Sequence, residues 1–167
     1  MGDGTTEPDG VAVSPSVGKT GATGQTATVL ADDLIDLFHS VVTGYRASGS
    51  WLMRDATLAS IRKIKTGESG SVQYLWQPGL QAGAPDTILG RPVVTAPSMP
   101  TMAANAYSIL FGDFSRHYVV RDVQGVRFER SDDYAFATDQ ITFRALLRTD
   151  GKRVDLTAVK AYRNSAT

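Results

Sequence analysis

The chain has 167 residues, which is enough for one domain with a substantial core. Its 17 basic and 17 acidic side chains cancel, so no net field draws in nucleic acid or an anionic membrane. There is no cysteine, which excludes disulfides and thiolate chemistry, and no apolar run approaches the roughly 20 residues of a spanning helix. We therefore expect no specific nucleic-acid binding and no membrane association.

The first part of the chain predicts an extended segment followed by a helix. Residues 1–27 are rich in glycine, serine and threonine, and a short strand is expected around Val11–Val13. From Thr28, the predicted N-cap, apolar residues recur at helical spacing until Gly44 and the Ala47-Ser48-Gly49 run close the helix. The apolar stripe of this helix consists of Leu30, Leu34, Leu37, Phe38, Val41 and Tyr45.

A buried strand and a second helix are predicted next. Ser50–Met53 is a short apolar run with the length of a strand. Asp55 is a candidate cap for the helix that follows, whose inner side carries Leu58, Ile61 and Ile64.

The rest of the chain predicts strands. Pro92 places one of them at an edge or a bulge, and Thr149-Asp150-Gly151 predicts a turn. Two helices followed by many strands, without regular alternation, predict an α+β fold with a mostly antiparallel or mixed sheet. The predicted strands are Val72–Trp76, Ile88–Thr95, Tyr107–Phe111, Tyr118–Arg121, Val126–Arg130, Ile141–Arg148 and Ala158–Tyr162.

No residue pattern predicts catalysis. Gly18-Lys19-Thr20 lacks the glycine that a phosphate-binding loop needs five positions earlier, where Val13 stands. His39 lies on the first helix, where a structural role is expected, and His117 lies in a predicted turn. We therefore expect no enzyme activity and no cofactor.

A metal site is not expected either. Asp132, Asp133 and Asp139 are candidate ligands for a hard cation. They lack the ligand spacing and the turn glycine of a calcium loop, so solvated strand ends are the better interpretation.

The stretch Val126–Gly151 interleaves arginines with aromatic residues. From Arg121 to Asp150 there are five arginines and six acids, which is too close to neutral for a phosphate-binding surface. The alternation gives strands with one apolar side and one side that carries both charge signs. Such a side suits protein neighbours of complementary charge, or it is a solvated sheet face, and the residues alone leave both interpretations open.

A larger pattern covers nearly the whole chain. Glycine-rich turns and strands recur in an order that resembles the C-terminal region of the major capsid proteins of tailed bacteriophages, the Hong Kong 97-type family. The matching segments are Gly2-Asp3-Gly4, Trp51–Met53, Ile88–Val93, Gly112-Asp113, Tyr118–Asp122, Val126–Arg130, Ile141–Arg148 and Ala158-Val159.

The resemblance implies a division of the chain. Residues 1–27 are expected to form an extended N-terminal segment, residues 28–117 and 152–167 an axial domain, and residues 118–151 the strands of a peripheral domain. The axial domain would have a central mixed sheet with flanking helices. Family members are usually longer and carry an arm, an extended hairpin loop and a spine helix ahead of this region.

The resemblance also implies a function. It predicts a major capsid subunit that builds the virion shell with other copies, as pentamers and hexamers, after assembly in the host bacterial cytoplasm. The alternative is a short capsid homologue that binds capsid subunits and interferes with their assembly. Some family members cross-link through a lysine, an asparagine and a glutamate, but Asp139–Asp150 contains no glutamate or asparagine, so cross-linking is not expected.

Two regions are expected to contact neighbouring subunits. One is the loop Gln77–Thr87, and the other is the charged side of the strands between Val126 and Arg148. The candidate interface residues are Gln77, Pro78, Gly79, Pro85, Asp86, Arg127, Arg130, Arg144 and Arg148.

Overall fold

The computed structural model describes residue 2 and residues 4–66, 73–74 and 86–167. Its helices are α1 (Ala31–Ser40), α2 (Thr43–Arg46), α3 (Asp55–Arg62) and α4 (Phe114–His117), with a 3₁₀ turn at Phe136–Thr138. Its strands are β1 (Val17–Thr20), β2 (Ser50–Met53), β3 (Lys65–Thr66), β4 (Gln73–Tyr74), β5 (Thr87–Ile88), β6 (Arg91–Thr95), β7 (Tyr107–Gly112), β8 (Tyr118–Ser131), β9 (Thr142–Arg153) and β10 (Val159–Arg163).

Within the described residues, six strands form a mixed sheet in the order β1-β10-β7-β2-β6-β5. The pairs β1–β10 and β2–β6 are parallel, whereas β10–β7, β7–β2 and β6–β5 are antiparallel. Strands β8 and β9 form a separate antiparallel hairpin, and β3 pairs with β4. The predicted α+β fold with a mixed sheet is confirmed.

The two faces of the mixed sheet bury different side chains, because successive residues of a strand point to opposite faces. Trp51, Ile109, Phe111 and Tyr162 pack with the helical residues in the larger core. The other face of the sheet forms a smaller core, which contains Met99, Leu110, Val159 and Ala161. The rings of Trp51 and Phe111 lie 4.3 Å apart between centroids, in adjacent strands.

The start of α1 differs from the prediction. Thr28 is not the N-cap; the helix begins at Ala31, after Leu30. The Asp33 carboxylate accepts a hydrogen bond of 3.0 Å from the Leu30 backbone N–H. This hydrogen bond satisfies one of the N–H groups that lack a partner at the start of the helix, so a threonine N-cap is not needed.

The predicted helix through Tyr45 is broken at Val41, whose backbone is extended. Two carbonyls at the end of α1 accept hydrogen bonds from the Arg46 guanidinium, at 2.7 Å for Val41 and 2.9 Å for His39. The short helix α2 then contains Gly44 and presents Tyr45 to the same core. The guanidinium replaces the next helical turn as the partner of these carbonyls.

Two further predictions in the first 95 residues need correction. Val11–Val13 is a turn, closed by a 3.1 Å hydrogen bond from the Val13 N–H to the Gly10 carbonyl. The strand of this N-terminal segment is β1, which begins at Val17. The predicted strand Ile88–Thr95 is a hairpin of β5 and β6, because Leu89 and Gly90 both have positive φ, as a tight turn requires. Gln73 and Tyr74 form β4, and the rest of Val72–Trp76 lies outside the described residues.

The predicted buried strand Ser50–Met53 and the strand at Tyr107–Phe111 are present as β2 and β7. The last predicted strand is present as β10, shifted by one residue. Helix α3 begins at Asp55, which lies in its first turn, while Arg54 occupies the cap position. Leu58 and Ile61 are buried on its inner side, as predicted.

The predicted turn at Thr149-Asp150-Gly151 is absent, since β9 runs through it to Arg153. The Tyr118 ring occupies the space where a Gly151 Cβ would lie; the Tyr118 hydroxyl would be 2.1 Å from it. Glycine therefore serves here to let an aromatic ring of the opposite strand cross the backbone, not to reverse the chain. The separate strands predicted at Tyr118–Arg121 and Val126–Arg130 are the single strand β8.

A substitution at Leu37 tests whether α1 packs against the sheet through this residue. Its side chain is completely buried, whereas Ile35 on the same helix is 44% exposed. Leu37→Ala should lower the free energy of unfolding by about 2–5 kcal/mol, because it leaves a cavity in the core. Ile35→Ala, the matched control, should change it by about 0.5 kcal/mol or less. Urea denaturation of both variants measures the difference, and equal losses would show that α1 does not face the sheet through Leu37.

Candidate functional site

The β8–β9 hairpin carries the arginines that sequence analysis selected, and its shape follows from a bulge and a closed tip. Val123 pairs with Arg148 and Arg127 pairs with Leu146, so four steps along β8 match two along β9. Gly125, with φ of +66°, makes this bulge possible. At the tip, the 3₁₀ turn ends at Asp139, which is left-handed with φ of +52°.

The register divides the hairpin into two faces, because opposed residues of an antiparallel pair project to the same side. Glu129 opposes Arg144, Arg127 opposes Leu146 and Val123 opposes Arg148. We call this side the charged face; it contains Arg121, Val123, Arg127, Glu129, Arg144, Leu146, Arg148, Asp150 and Lys152. The other side, the apolar face, contains Val120, Phe128, Phe143, Ala145 and Leu147, together with the polar residues Asp122, Arg130 and Thr149.

Two of the candidate arginines share one carboxylate on the charged face. Glu129 accepts hydrogen bonds from Arg127 and from Arg144, whose Nε lies 2.9 Å from Glu129 Oε2. Bonds from Arg144 and Arg127 hold the pKa of the Glu129 carboxyl below its usual value. This cross-strand group fixes the two guanidinium groups beside the bulge.

Arg148 and Arg130 occupy different positions. Arg148 lies on the charged face and lines an open groove at the bulge together with Arg127 and Arg144. Arg130 opposes Phe143, on the apolar face, and its Nε donates to Asp132 at 2.8 Å. The structure therefore brings three of the four selected arginines together and separates Arg130 from them.

The apolar face is exposed along its length. Phe128 is 77% exposed and Phe143 is 72% exposed, although both are large aromatic residues. Tyr134 and Phe136 at the tip are exposed by 84% and 83%. The alternation of the strand residues is visible in the sequence, but the aromatic tip is not, because nothing in the pattern shows that Tyr134 and Phe136 leave the sheet.

The other selected surface is only partly described. Gln77, Pro78, Gly79 and Pro85 lie outside the described residues. The Asp86 carboxylate forms an ion pair with Arg62 at the end of α3. The backbone carbonyl of Asp86 accepts a 3.0 Å hydrogen bond from the Val93 N–H. Asp86 therefore ties the start of β5 to the mixed sheet.

The base of the hairpin is anchored by residues that sequence analysis did not select. Arg153 Nε donates to Asp9 Oδ2 at 2.8 Å, and both side chains are largely buried. The Tyr118 hydroxyl donates to the Asp9 carbonyl at 2.7 Å. Sequence spacing gives no sign of this pairing, because 144 residues separate Asp9 from Arg153.

The junction between the mixed sheet and β8 contains His117, which is completely buried at the end of α4. Its Nδ1 lies 2.6 Å from the Asp155 carbonyl oxygen, and its own carbonyl accepts a 2.7 Å bond from Val154. His117 thus holds together the two chain segments that connect the hairpin to the sheet. His39 lies elsewhere, exposed on α1 beside Arg46.

Neither a metal centre nor a spanning helix is found in the described part of the chain. No group of three or more potential metal ligands comes together there. No helix among the described residues is long and apolar enough to cross a membrane.

Comparisons with known proteins identify the class of this fold and hairpin. The phage capsid family model matches residues 1–164, and the chain belongs to this family. The chain is 31% identical to a chain in the capsid of an empty GTA (gene transfer agent) particle computed with C5 symmetry, with a TM-score of 0.77. That match covers 99% of this chain and 59% of the other.

A second solved structure agrees. The chain is 30% identical to a chain in the capsid of a native GTA particle computed with C5 symmetry, with a TM-score of 0.78 and coverage of 99% and 59%. The chain therefore spans 59% of the capsid chains that it matches. No curated protein matches the chain. The resemblance inferred from the sequence, and the Hong Kong 97-type fold that it implied, are confirmed.

A substitution at Arg153 tests whether this residue anchors the hairpin. Arg153→Ala should lower the free energy of unfolding by about 2–4 kcal/mol, because it leaves a largely buried Asp9 charge without its partner. Arg144→Ala removes an exposed guanidinium from the same hairpin and should cost about 1 kcal/mol or less. Denaturant unfolding of the two variants measures the difference, and equal effects would contradict an anchoring role for Arg153.

The pH dependence of the melting temperature tests whether Asp155 stabilises the junction. Hydrogen bonds from Thr157 and from the Tyr45 hydroxyl, the latter at 2.8 Å, lower the pKa of the Asp155 carboxyl to about 2. A lowered pKa stabilises the fold above the unfolded pKa of about 4, and this stabilisation is lost as the pH falls towards 2. The melting temperature of Asp155→Asn should therefore lie below that of the unaltered chain at pH 6, and the gap should narrow towards pH 2. A gap that is constant with pH would show that ionised Asp155 does not stabilise the junction.

Proposed function

We propose that this chain is a structural subunit of a phage-type capsid, the major capsid protein, and that copies of it build the particle shell through protein–protein contacts. Membership of the phage capsid family and similarity to two particle capsids support this function. The family and its fold are structural, and we assign the chain no catalytic role.

The observation that carries the proposal is the exposure of both faces of the β8–β9 hairpin. Phe128, Phe143 and Leu147 stand on one face without burial, and charged residues of both signs stand on the other. Exposed contiguous apolar surface marks a protein contact site in soluble proteins, since it costs free energy in water. A shell subunit is a protein in which such surfaces become buried after folding.

The same proposal includes the organisation of the subunit. Residues 28–117 and 152–167 form the axial domain, residues 118–151 form the peripheral strands, and residues 1–27 form an extended segment. The contact surfaces include Asp86 and the charged and apolar faces of the hairpin, together with the segment that contains Gln77, Pro78, Gly79 and Pro85. Closed rings of five or six copies need head-to-tail contacts between different surfaces, which a hairpin with two unlike faces provides.

The location follows from this role. The chain belongs in the shell of a virion or virion-like particle, after assembly in the cytoplasm of the host bacterium. The alternative, a short homologue that interferes with the assembly of other capsid subunits, receives no support from the comparisons.

Assembly tests the proposal through the apolar face. The chain should associate into oligomers of defined size as its concentration rises, because association buries Phe128 and Phe143. The double variant Phe128→Ser and Phe143→Ser should weaken this association about tenfold or more, because two large apolar side chains lose their burial. Sedimentation velocity and negative-stain imaging measure it, with circular dichroism to confirm that the fold is kept.

Leu156→Ser and Val42→Ser are the matched controls, since both residues are more than half exposed and lie outside the hairpin. They should leave association unchanged. A chain that stays monomeric at every accessible concentration, or controls that weaken association as much as the hairpin variant, would contradict the proposed function.

A further inference from the structure

The hairpin contains a groove that the register bulge creates. Gly125 lies in this bulge, and the groove has a volume of about 340 Å³. Val123 and Leu146 provide apolar surface, and three arginine side chains provide charge. The lining residues are Val123, Gly125, Arg127, Arg144, Leu146 and Arg148.

The groove is positively charged. Glu129 neutralises only one of the two arginines that it binds, Arg127 and Arg144. Arg148 has no ion-pair partner among the described residues. Three arginines against one glutamate leave two positive charges, so the groove favours an anionic occupant that also has an apolar part.

The tip of the same hairpin has the opposite character. The tip carries Asp132, Asp133 and Asp139, and the pairing of Asp132 with Arg130 leaves two negative charges. Tyr134 and Phe136 stand among these acids and are the most exposed large hydrophobic side chains in the described part of the hairpin. An acidic segment with protruding rings is the complement of a basic groove with an apolar floor, because rings also stack on guanidinium groups.

The tip is held in shape by its own hydrogen bonds. The Thr138 N–H donates to the Ala135 carbonyl at 3.1 Å, and the Asp139 N–H donates to the Phe136 carbonyl at 3.2 Å. The Tyr134 N–H donates to Ser131 Oγ at 3.3 Å. A preordered tip loses little conformational entropy when it binds.

The tip cannot occupy the groove of its own hairpin. Between Leu146 and the last ladder pair, Ser131 with Thr142, the strands remain paired. Four residues at about 3.3 Å each place roughly 13 Å of paired backbone between Leu146 and the tip, whereas Arg144, at the near end of the groove, lies closer to the tip. A tip that binds against Leu146 and Arg148 must therefore belong to another molecule.

We propose that the acidic aromatic tip of one copy, residues 132–139, docks in the basic groove of a second copy. This inference rests on the proposed function and names the contact through which two subunits meet. Asp133 faces Arg148 in this contact, and a tip ring lies against Leu146. The two surfaces differ, so the contact is head-to-tail, which is the kind that closes rings of identical subunits.

Charge reversal tests the contact. Arg148→Glu alters only the groove and Asp133→Lys alters only the tip, and each should weaken self-association of the full chain about tenfold or more, because like charges then meet. An equimolar mixture of the two variants should associate as the unaltered chain does, since each altered surface finds a complementary one. The double variant should associate with itself for the same reason.

Matched controls carry the same charge changes elsewhere. Lys63→Glu and Glu7→Lys alter exposed residues outside the hairpin and should leave association unchanged. Sedimentation velocity at several concentrations measures association, circular dichroism verifies folding, and a fluorescent duplex oligonucleotide tests a nucleic-acid occupant.

Each contrary outcome has a distinct meaning. Single reversals without effect, no recovery in the mixture, or no self-association of the unaltered chain would overturn the docking proposal. Oligonucleotide binding that Arg148→Glu abolishes, with association unchanged, would assign the groove to nucleic acid and also overturn it. If the Phe128 and Phe143 variant still prevents assembly while the charge reversals do not, the proposed function stands and only the docking contact fails.

Discussion

The close approach of β7 and β10 at Gly112 is the constraint on which the rest of the structure depends. A Cβ at this position would lie 2.1 Å from the Ala158 carbonyl oxygen, and the backbone φ of +149° is one that side chains disfavour. Glycine lets the two strands meet at the point where the chain leaves the sheet. Asp113 then caps α4 by accepting from the Ser115 N–H at 3.0 Å, and the chain turns into the hairpin.

The point where the chain leaves the mixed sheet determines where the base of the hairpin is held. His117 joins the outgoing and returning segments through Asp155 and Val154, and Arg153 and Tyr118 hold the base against Asp9. The His117 side chain is completely buried and the side chains of Arg153 and Asp9 are largely buried, whereas the large hydrophobic side chains farther out, among them Val120, Phe128 and Phe143, are exposed. The buried anchoring contacts are therefore concentrated at the base, and the outer part of the hairpin is available for contacts with other molecules.

The charges of the hairpin contribute little to folding and much to recognition. The Glu129 group with Arg127 and Arg144 is exposed to solvent, where an ion pair stabilises a fold only slightly. The same charges set the orientation and the specificity of association when a partner covers them. The separation of an acidic aromatic tip from a basic groove gives one element two complementary ends, which suits assembly from identical copies.

The sequence alone determined the elements whose periodicity is strong and local. Alternation and apolar runs were sufficient for β2, β7 and β10, and helical spacing was sufficient for the buried Leu34 and Leu37 of α1, because these patterns reflect burial in the core. Leu30, a member of the same predicted stripe, is 54% exposed. The order of the elements predicted the α+β class, and the family resemblance supplied the Hong Kong 97-type fold. The sequence selected Arg127, Arg130, Arg144 and Arg148 as one group, and the strand register places Arg130 on the opposite face from the other three.

Tertiary structure decided what depends on contacts between distant residues. Thr149-Asp150-Gly151 has turn composition, yet it continues β9 because the Tyr118 ring crosses Gly151. Arg46 ends α1 by binding its carbonyls, and Asp9 pairs with Arg153 across most of the chain, and neither contact leaves a sequence period. The bulge at Gly125 likewise exists only in the pairing of two strands, so the groove and the separation of Arg130 from the other arginines could be known only from the register. Local patterns encode which side of an element is buried, whereas the partners of a polar group are set by where the folded chain brings them.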